Sequence, residues 1–159
     1  MTLVCEDDIR FMQEALEEAK KAFAAGEVPI GAVAVENGVI ISRGRNRVEE
    51  LSSVSGHAEF QVLKELEALR GDWRMQEITI YVTKEPCFMC AGMLVNARFA
   101  RIVYGLQDAK TGGCGGSLNI PEHPDNLWHP QVTSGVLAEE SKELIQSFFK
   151  SRREQNKAL

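Results

Sequence analysis

No apolar run in the chain approaches the roughly 20 residues that a membrane span requires. The first residues, MTLVCEDDIRFMQEALEEAKKAF, carry acids where a secretory leader would carry positive charge. They also lack a long apolar centre, so a cytoplasmic address is the expectation. Thiols are kept reduced there, and four cysteines are too few for a disulfide scaffold, so disulfide-bonded classes are set aside. Positive charge is also short: 18 Lys and Arg stand against 23 Asp and Glu, a formal net charge of −5. On that total alone a nucleic-acid partner is disfavoured. The deficit is uneven, however. Acids crowd the first helix (Glu6, Asp7, Asp8, Glu14, Glu17, Glu18), whereas the far end, FFKSRREQNK, is basic. A local basic patch beside a site can outweigh an acidic total. No repeat, low-complexity linker or break in composition divides the chain, so residues 1–159 are expected to form a single domain.

What is present is a mixture of two periodicities. Ile9, Met12, Leu16, Ala19 and Phe23 recur at helical spacing from about Asp7 to Ala25, and Gly26 supplies a stop. Runs Val28–Val35 and Val39–Ser42 flank Asn37-Gly38, a strong hairpin signal. RNRVEELSSVSG reads as a polar loop. His57 to Leu69 is expected to be helical, with Phe60, Leu63, Leu66 and Leu69 inward. Strand Ile78–Thr83, helix Cys87–Ala97 and strand Ala100–Leu106 follow, and should form a right-handed parallel crossover in the sheet interior. A long glycine-rich loop, a short strand near Val132 and a helix from about Ala138 to Gln155 complete the chain. The expectation is an α/β fold: a three-layer α/β/α sandwich around a mixed sheet of about five strands.

The chemistry concentrates in EPCFMC, residues 85–90. Cys-x-x-Cys alone fits a redox dithiol, a zinc corner or chance. A structural zinc needs two more ligands at knuckle-like spacing, but Cys5 and Cys114 stand singly. A redox dithiol at a strand-to-helix turn predicts neither a third ligand nor a nearby acid. GHAEF offers both, as His57 and Glu59. Each ligand segment opens a helix, where partial positive charge favours thiolate. One imidazole and two thiolates leave a tetrahedral zinc one open position for water, the mark of a catalytic site. On a regular helix Glu59 would point about 200° from His57, so it is cast as a proton shuttle rather than a fourth ligand. The order His-x-Glu … Pro-Cys-x-x-Cys is the signature of zinc deaminases.

The sequence resembles the bacterial tRNA-specific adenosine deaminases of the cytidine-deaminase-like superfamily, which convert wobble adenosine to inosine. The likeness runs nearly end to end through EVPIGAVAV, GRNR, HAE, YVTKEPCFMCAGML, ARIVYGLQDAKTGG, GSLNI and FFKSRRE. It implies one zinc ion per subunit on His57, Cys87 and Cys90, with a water or hydroxide as fourth ligand and Glu59 as catalytic proton shuttle. It implies that Asn46 reads the flipped base, that Val28 and Pro86 adjoin it, and that Asp108 and Lys110 belong to a loop lining the RNA cleft. Phe148, Phe149, Arg152 and Arg153 match the terminal helix near the anticodon loop, the arginines as phosphate contacts. A homodimer is implied as well; the helix AGMLVNARF with Arg98 offers either its interface or ordinary packing on its own sheet. The target base must leave its stack, which is least costly in a single-stranded anticodon loop. The run Ser53-Val54-Ser55-Gly56 replaces the family's Asp-Pro-Thr-Ala, and the loop KTGGCGGS is one residue longer and carries Cys114. The alternative is a zinc deaminase of a free base or nucleoside, guanine or cytosine, which would not need the basic terminal helix.

Overall fold

A computed structural model describes residues 4–158. Helix α1 (Glu6–Ala24) turns Phe11, Met12, Ala15, Leu16, Ala19 and Ala22 to one side, a stripe set by three- and four-residue spacing. Gly26, at φ +80°, releases the chain from it. Strand β1 (Gly31–Glu36) and β2 (Val39–Arg45) pair antiparallel across Asn37-Gly38, both at positive φ as a tight hairpin turn requires. A bulge between Ala34 and Val35 shifts their register. The first strand starts later than its residue types suggest, because Ile30 N–H donates to Val28 O and closes a three-residue turn before it.

The expected polar loop holds one helical turn, α2 (Val48–Leu51). The buried Glu27 carboxylate makes it, accepting the N–H groups of Glu49 and Glu50 at 3.0 and 2.7 Å. Helix α3 (Ala58–Arg70) buries Ala58, Glu59, Val62, Leu63 and Leu66. Phe60 is half-buried and Leu69 is exposed, so the inward face is rotated from the one that Phe60 and Leu69 mark. Strand β3 (Thr79–Lys84), helix α4 (Phe88–Asn96) and strand β4 (Arg101–Leu106) form the parallel crossover. The glycine-rich loop contains a 3₁₀ turn at Ile120–Glu122, and β5 (Gln131–Thr133) and α5 (Ala138–Lys157) follow.

The five strands form one mixed sheet in the order β2-β1-β3-β4-β5. Ala32, Ala34, Ile80, Val82, Ile102 and Tyr104 face the side of α3 and α4; Val33, Val35, Tyr81 and Val103 face α1. Helix α5 packs over β3 and β4 on that second side, giving three layers. A fully buried Ile or Val here contributes on the order of 2 kcal/mol. Strand direction then fixes where chemistry can lie. The ends of β3 and β4, the start of β1 and the end of β2 all meet at one edge of the sheet, with the N-termini of α3 and α4 above it. Such an edge is the usual ligand crevice of an open α/β sheet.

Candidate metal centre and its cavity

His57 and Cys87 are the N-cap residues of α3 and α4, both extended, and neither side chain caps its own helix. They turn to each other instead. His57 Nδ1 lies 3.6 Å from Cys87 Sγ and 3.4 Å from Cys90 Sγ. The three donor atoms fall within 4.8 Å of one another, and they form the one such cluster among the described residues. One imidazole nitrogen and two sulfurs, backed by two helix N-termini, are a donor set suited to zinc. Cys114 is buried in the core under the glycine-rich loop and does not belong to the cluster.

The protonation of the centre is already divided. The Cys90 thiol donates to Cys87 and draws it down to about 4, against burial and with help from His57. The same partnership pushes Cys90 up, reinforced by burial and by the charge of Glu59. His57 is raised by its bond to Cys87, burial opposing and Glu59 assisting. Cys87 is thus the readier of the two sulfurs to act as thiolate.

Glu59 is almost fully buried, at 4 % exposure, and hydrogen-bonds Cys90. The helical angle that separates it from His57 does not apply, because His57 stands outside the helix in extended backbone. Burial raises the Glu59 carboxyl above its ordinary range, partly offset by its own N–H and by His57. A carboxyl so placed holds its proton more tightly than an exposed one, which suits it to take up and pass on a proton.

Beside the centre opens a cavity of about 140 Å³, lined by Ile30, Asn46, His57, Ala58, Glu59, Lys84, Glu85, Cys87, Asp108 and Thr111. Asn46 Nδ2 donates to Val28 O at 3.2 Å, and its Oδ1 accepts from Val48 N at 3.3 Å. Its amide is therefore fixed in orientation while one donor hydrogen and one lone pair remain. Asp108 pairs with Lys84 at 3.1 Å and accepts from the N–H groups of Lys110 and Thr111 and from the Thr111 hydroxyl. Those bonds outweigh burial and hold its carboxyl well below the usual range.

The remaining candidates lie outside the lining. Val28 stands behind Asn46, Pro86 is buried and accepts Gly113 N–H through its carbonyl, and Lys110 is exposed. On α5, Phe148 is core, edge-on to Phe23, while Phe149 and Arg153 are exposed. Arg152 lies over the Phe148 ring and donates to Gly26 O, so its guanidinium already has an intramolecular acceptor. In α4, Cys90, Ala91, Leu94 and Val95 are buried in the protein's own core and Phe88 is at the surface. Lys84, Glu85, Ile30 and Thr111 line the cavity without having been singled out in the sequence. Only Glu85 carried a signal, as an acid inside the EPC stretch.

Comparison with known proteins sets this geometry in context. A family model described as MafB19-like deaminase matches residues 6–153. A tRNA-specific adenosine deaminase of Bacillus subtilis (strain 168) is 45% identical over 152 residues, covering 95% of this chain and 94% of its own. A solved structure from a study of A-to-I editing by tRNA:A34 deaminases superposes with a TM-score of 0.82 at 41% identity, covering 85% of this chain and 98% of that one. A guanine deaminase structure from Bacillus subtilis is 31% identical with a TM-score of 0.57, over 60% of this chain and 62% of that one.

Proposed function

The chain belongs to the MafB19-like deaminases and to the tRNA-specific adenosine deaminases, and from that premise we propose that it hydrolyses adenosine to inosine at the wobble position of a tRNA anticodon. The observation that carries the reading is the convergence of His57, Cys87 and Cys90 on one point, with the buried Glu59 and a cavity beside it. Zinc, one ion per chain, would be held by those three residues and would supply a water acidified to a pKa of roughly 7.

The chain's own groups do the rest. Glu59 takes the proton from the attacking water and delivers it to the ring nitrogen next to the carbon that carries the amino group. The water oxygen bonds to that carbon. Glu59 then takes the remaining proton from the hydroxyl so formed and passes it to the amine. As that oxygen becomes the carbonyl of inosine, the C–N bond breaks and ammonia leaves. Asn46 orients the base with the donor and acceptor left over from its two backbone bonds. Ile30 gives the cavity an apolar wall for the base to rest on. The base has to be extruded from its stack to enter, and a single-stranded anticodon loop makes that inexpensive. Phosphates are met by exposed basic groups, Lys110 and Arg153, with Phe149 beside Arg153 for stacking. Lys150, Arg152, Arg153 and Lys157 gather at one end of α5, a local basic patch within a net charge of −5. The homodimer implied by the sequence resemblance is part of this reading, as is a cytoplasmic address; among the described residues no helix is long and apolar enough to cross a membrane.

Incubating the zinc-loaded protein with total bacterial tRNA and sequencing for inosine tests the proposal. Inosine at a wobble position is expected. Ammonia released from free guanine, with tRNA untouched, would replace it by the free-base reading.

A further inference from the structure

Glu85 is a buried carboxylate at the wall of the cavity, and the deamination chemistry gives it no part. Its oxygens are all directed at one loop. Oε1 accepts from Asp108 N at 3.0 Å, and Oε2 accepts from Cys114 N at 2.9 Å and Gly116 N at 2.8 Å. The loop is shaped around it: a Cβ on Gly112 or Gly116 would overlap the carboxylate. Lys84, one residue earlier, lines the same cavity and pairs with the side chain of Asp108. Consecutive residues of the strand end therefore grip the same aspartate, one by its N–H and one by its carboxylate. Nothing apolar shares the task, since Gln107, Ala109, Lys110 and Thr111 are all exposed.

We propose that Glu85 is a positioning residue for substrate: it fixes the segment 107–111, and with it the mouth of the cavity through which the RNA base enters. This rests on the deamination reading for its substrate, though not for its geometry. Charge-assisted bonds from N–H to carboxylate are among the stronger neutral-pH contacts, so losing one frees a loop that has no buried apolar anchor.

The test is E85Q in the zinc-loaded full chain. One amide orientation keeps an oxygen for Cys114 and Gly116 and presents N–H to the Asp108 N–H, so the bond to Asp108 is the one cut. With an anticodon stem-loop RNA, KM should rise about tenfold while kcat changes less than about threefold, with zinc content and melting temperature at wild-type values. Amide hydrogen exchange across 107–111 should quicken. D108N should give a similar KM, and the double variant should be no worse than the worse single one. Wild-type KM together with wild-type exchange in E85Q overturns the role, as does a KM effect that multiplies with that of D108N. Should E85Q fold poorly, Glu85→Asp, which keeps the charge but shortens its reach to Asp108 N, Cys114 N and Gly116 N, must reproduce the faster exchange. An inactive wild-type enzyme would instead sink the deamination reading, leaving the exchange result to judge Glu85.

Discussion

Removing the carboxylate of Asp8 should cost this protein a large part of its stability. Asp8 is 0 % exposed, yet four donors reach it. Arg101 Nη1 and Nη2 bond its two oxygens at 2.7 and 2.8 Å, the Tyr81 hydroxyl donates at 2.8 Å and Cys5 N–H at 3.0 Å. Arg101 Nη2 also donates to Thr133 Oγ1, so one bidentate pair ties α1 to β3, β4 and β5. In Asp8→Ala the Arg101 guanidinium, only 17% exposed, loses the charge of Asp8 and two bonds to it, and Tyr81 and Cys5 each lose the bond they donate there. Removing the acidic member of such a buried network, with the four bonds it accepts, costs about 3–5 kcal/mol. For a chain of this size that lowers the melting temperature by about 10 °C. Urea unfolding of the zinc-loaded protein with an unchanged m-value measures the loss. Asp8→Ala/Arg101→Met, which removes both charges, should recover at least about 2 kcal/mol relative to the sum of the single losses. Strictly additive losses, or an Asp8→Ala loss below about 1 kcal/mol, would refute the account. The pair also has a pH signature. Burial by itself would raise the Asp8 carboxyl, but Arg101, the Cys5 N–H and Tyr81 bring it down to about 2 from 3.8. A folded-state value below the unfolded one means the contribution is complete above about pH 4 and is lost as pH falls through 2. Asp8→Ala should therefore narrow its stability gap to wild type across that acid window and nowhere above it.

Glu59→Ala should keep wild-type zinc content and lose about 10²–10⁴-fold in kcat, read by inosine formation on a stem-loop RNA; an active Glu59→Ala enzyme would remove it from the chemistry. In the metal-free protein, thiolate absorbance belonging to Cys87 should persist down to about pH 4 and be absent in Cys87→Ser. If that absorbance vanished between pH 9 and 8, both thiols would be ordinary ones. Arg152 and Arg153 should separate cleanly although adjacent. Arg152→Ala loses the bond to Gly26 O and the cover on Phe148, lowering stability by about 1 kcal/mol. Arg153→Ala should leave melting unchanged and reduce the salt slope of RNA binding by about 1. Equal effects of the two on melting would contradict the placement of Arg152.

The sequence by itself determined what repeats at short range. The stripe of α1, the Asn37-Gly38 hairpin and the strand–helix–strand crossover follow from three-and-four spacing, alternation and turn chemistry, all local in the chain. The His57, Cys87 and Cys90 cluster was legible for a related reason: His57 and the Cys87–Cys90 pair each mark a helix start, and their residue types are rarely interchangeable in a metal site. Tertiary structure alone decided the rest. That Glu59 lies beside the thiols depends on His57 being extended rather than helical. The helical turn α2 exists because Glu27 reaches it from about 22 positions away in the chain, and the cavity mouth is held by Glu85 across 23 to 31. Arg152 bonds a carbonyl 126 residues earlier. A carboxylate or guanidinium that satisfies distant backbone groups looks, in sequence, like any solvated charge, because the burial that makes such a bond necessary arises only when the chain has closed around it.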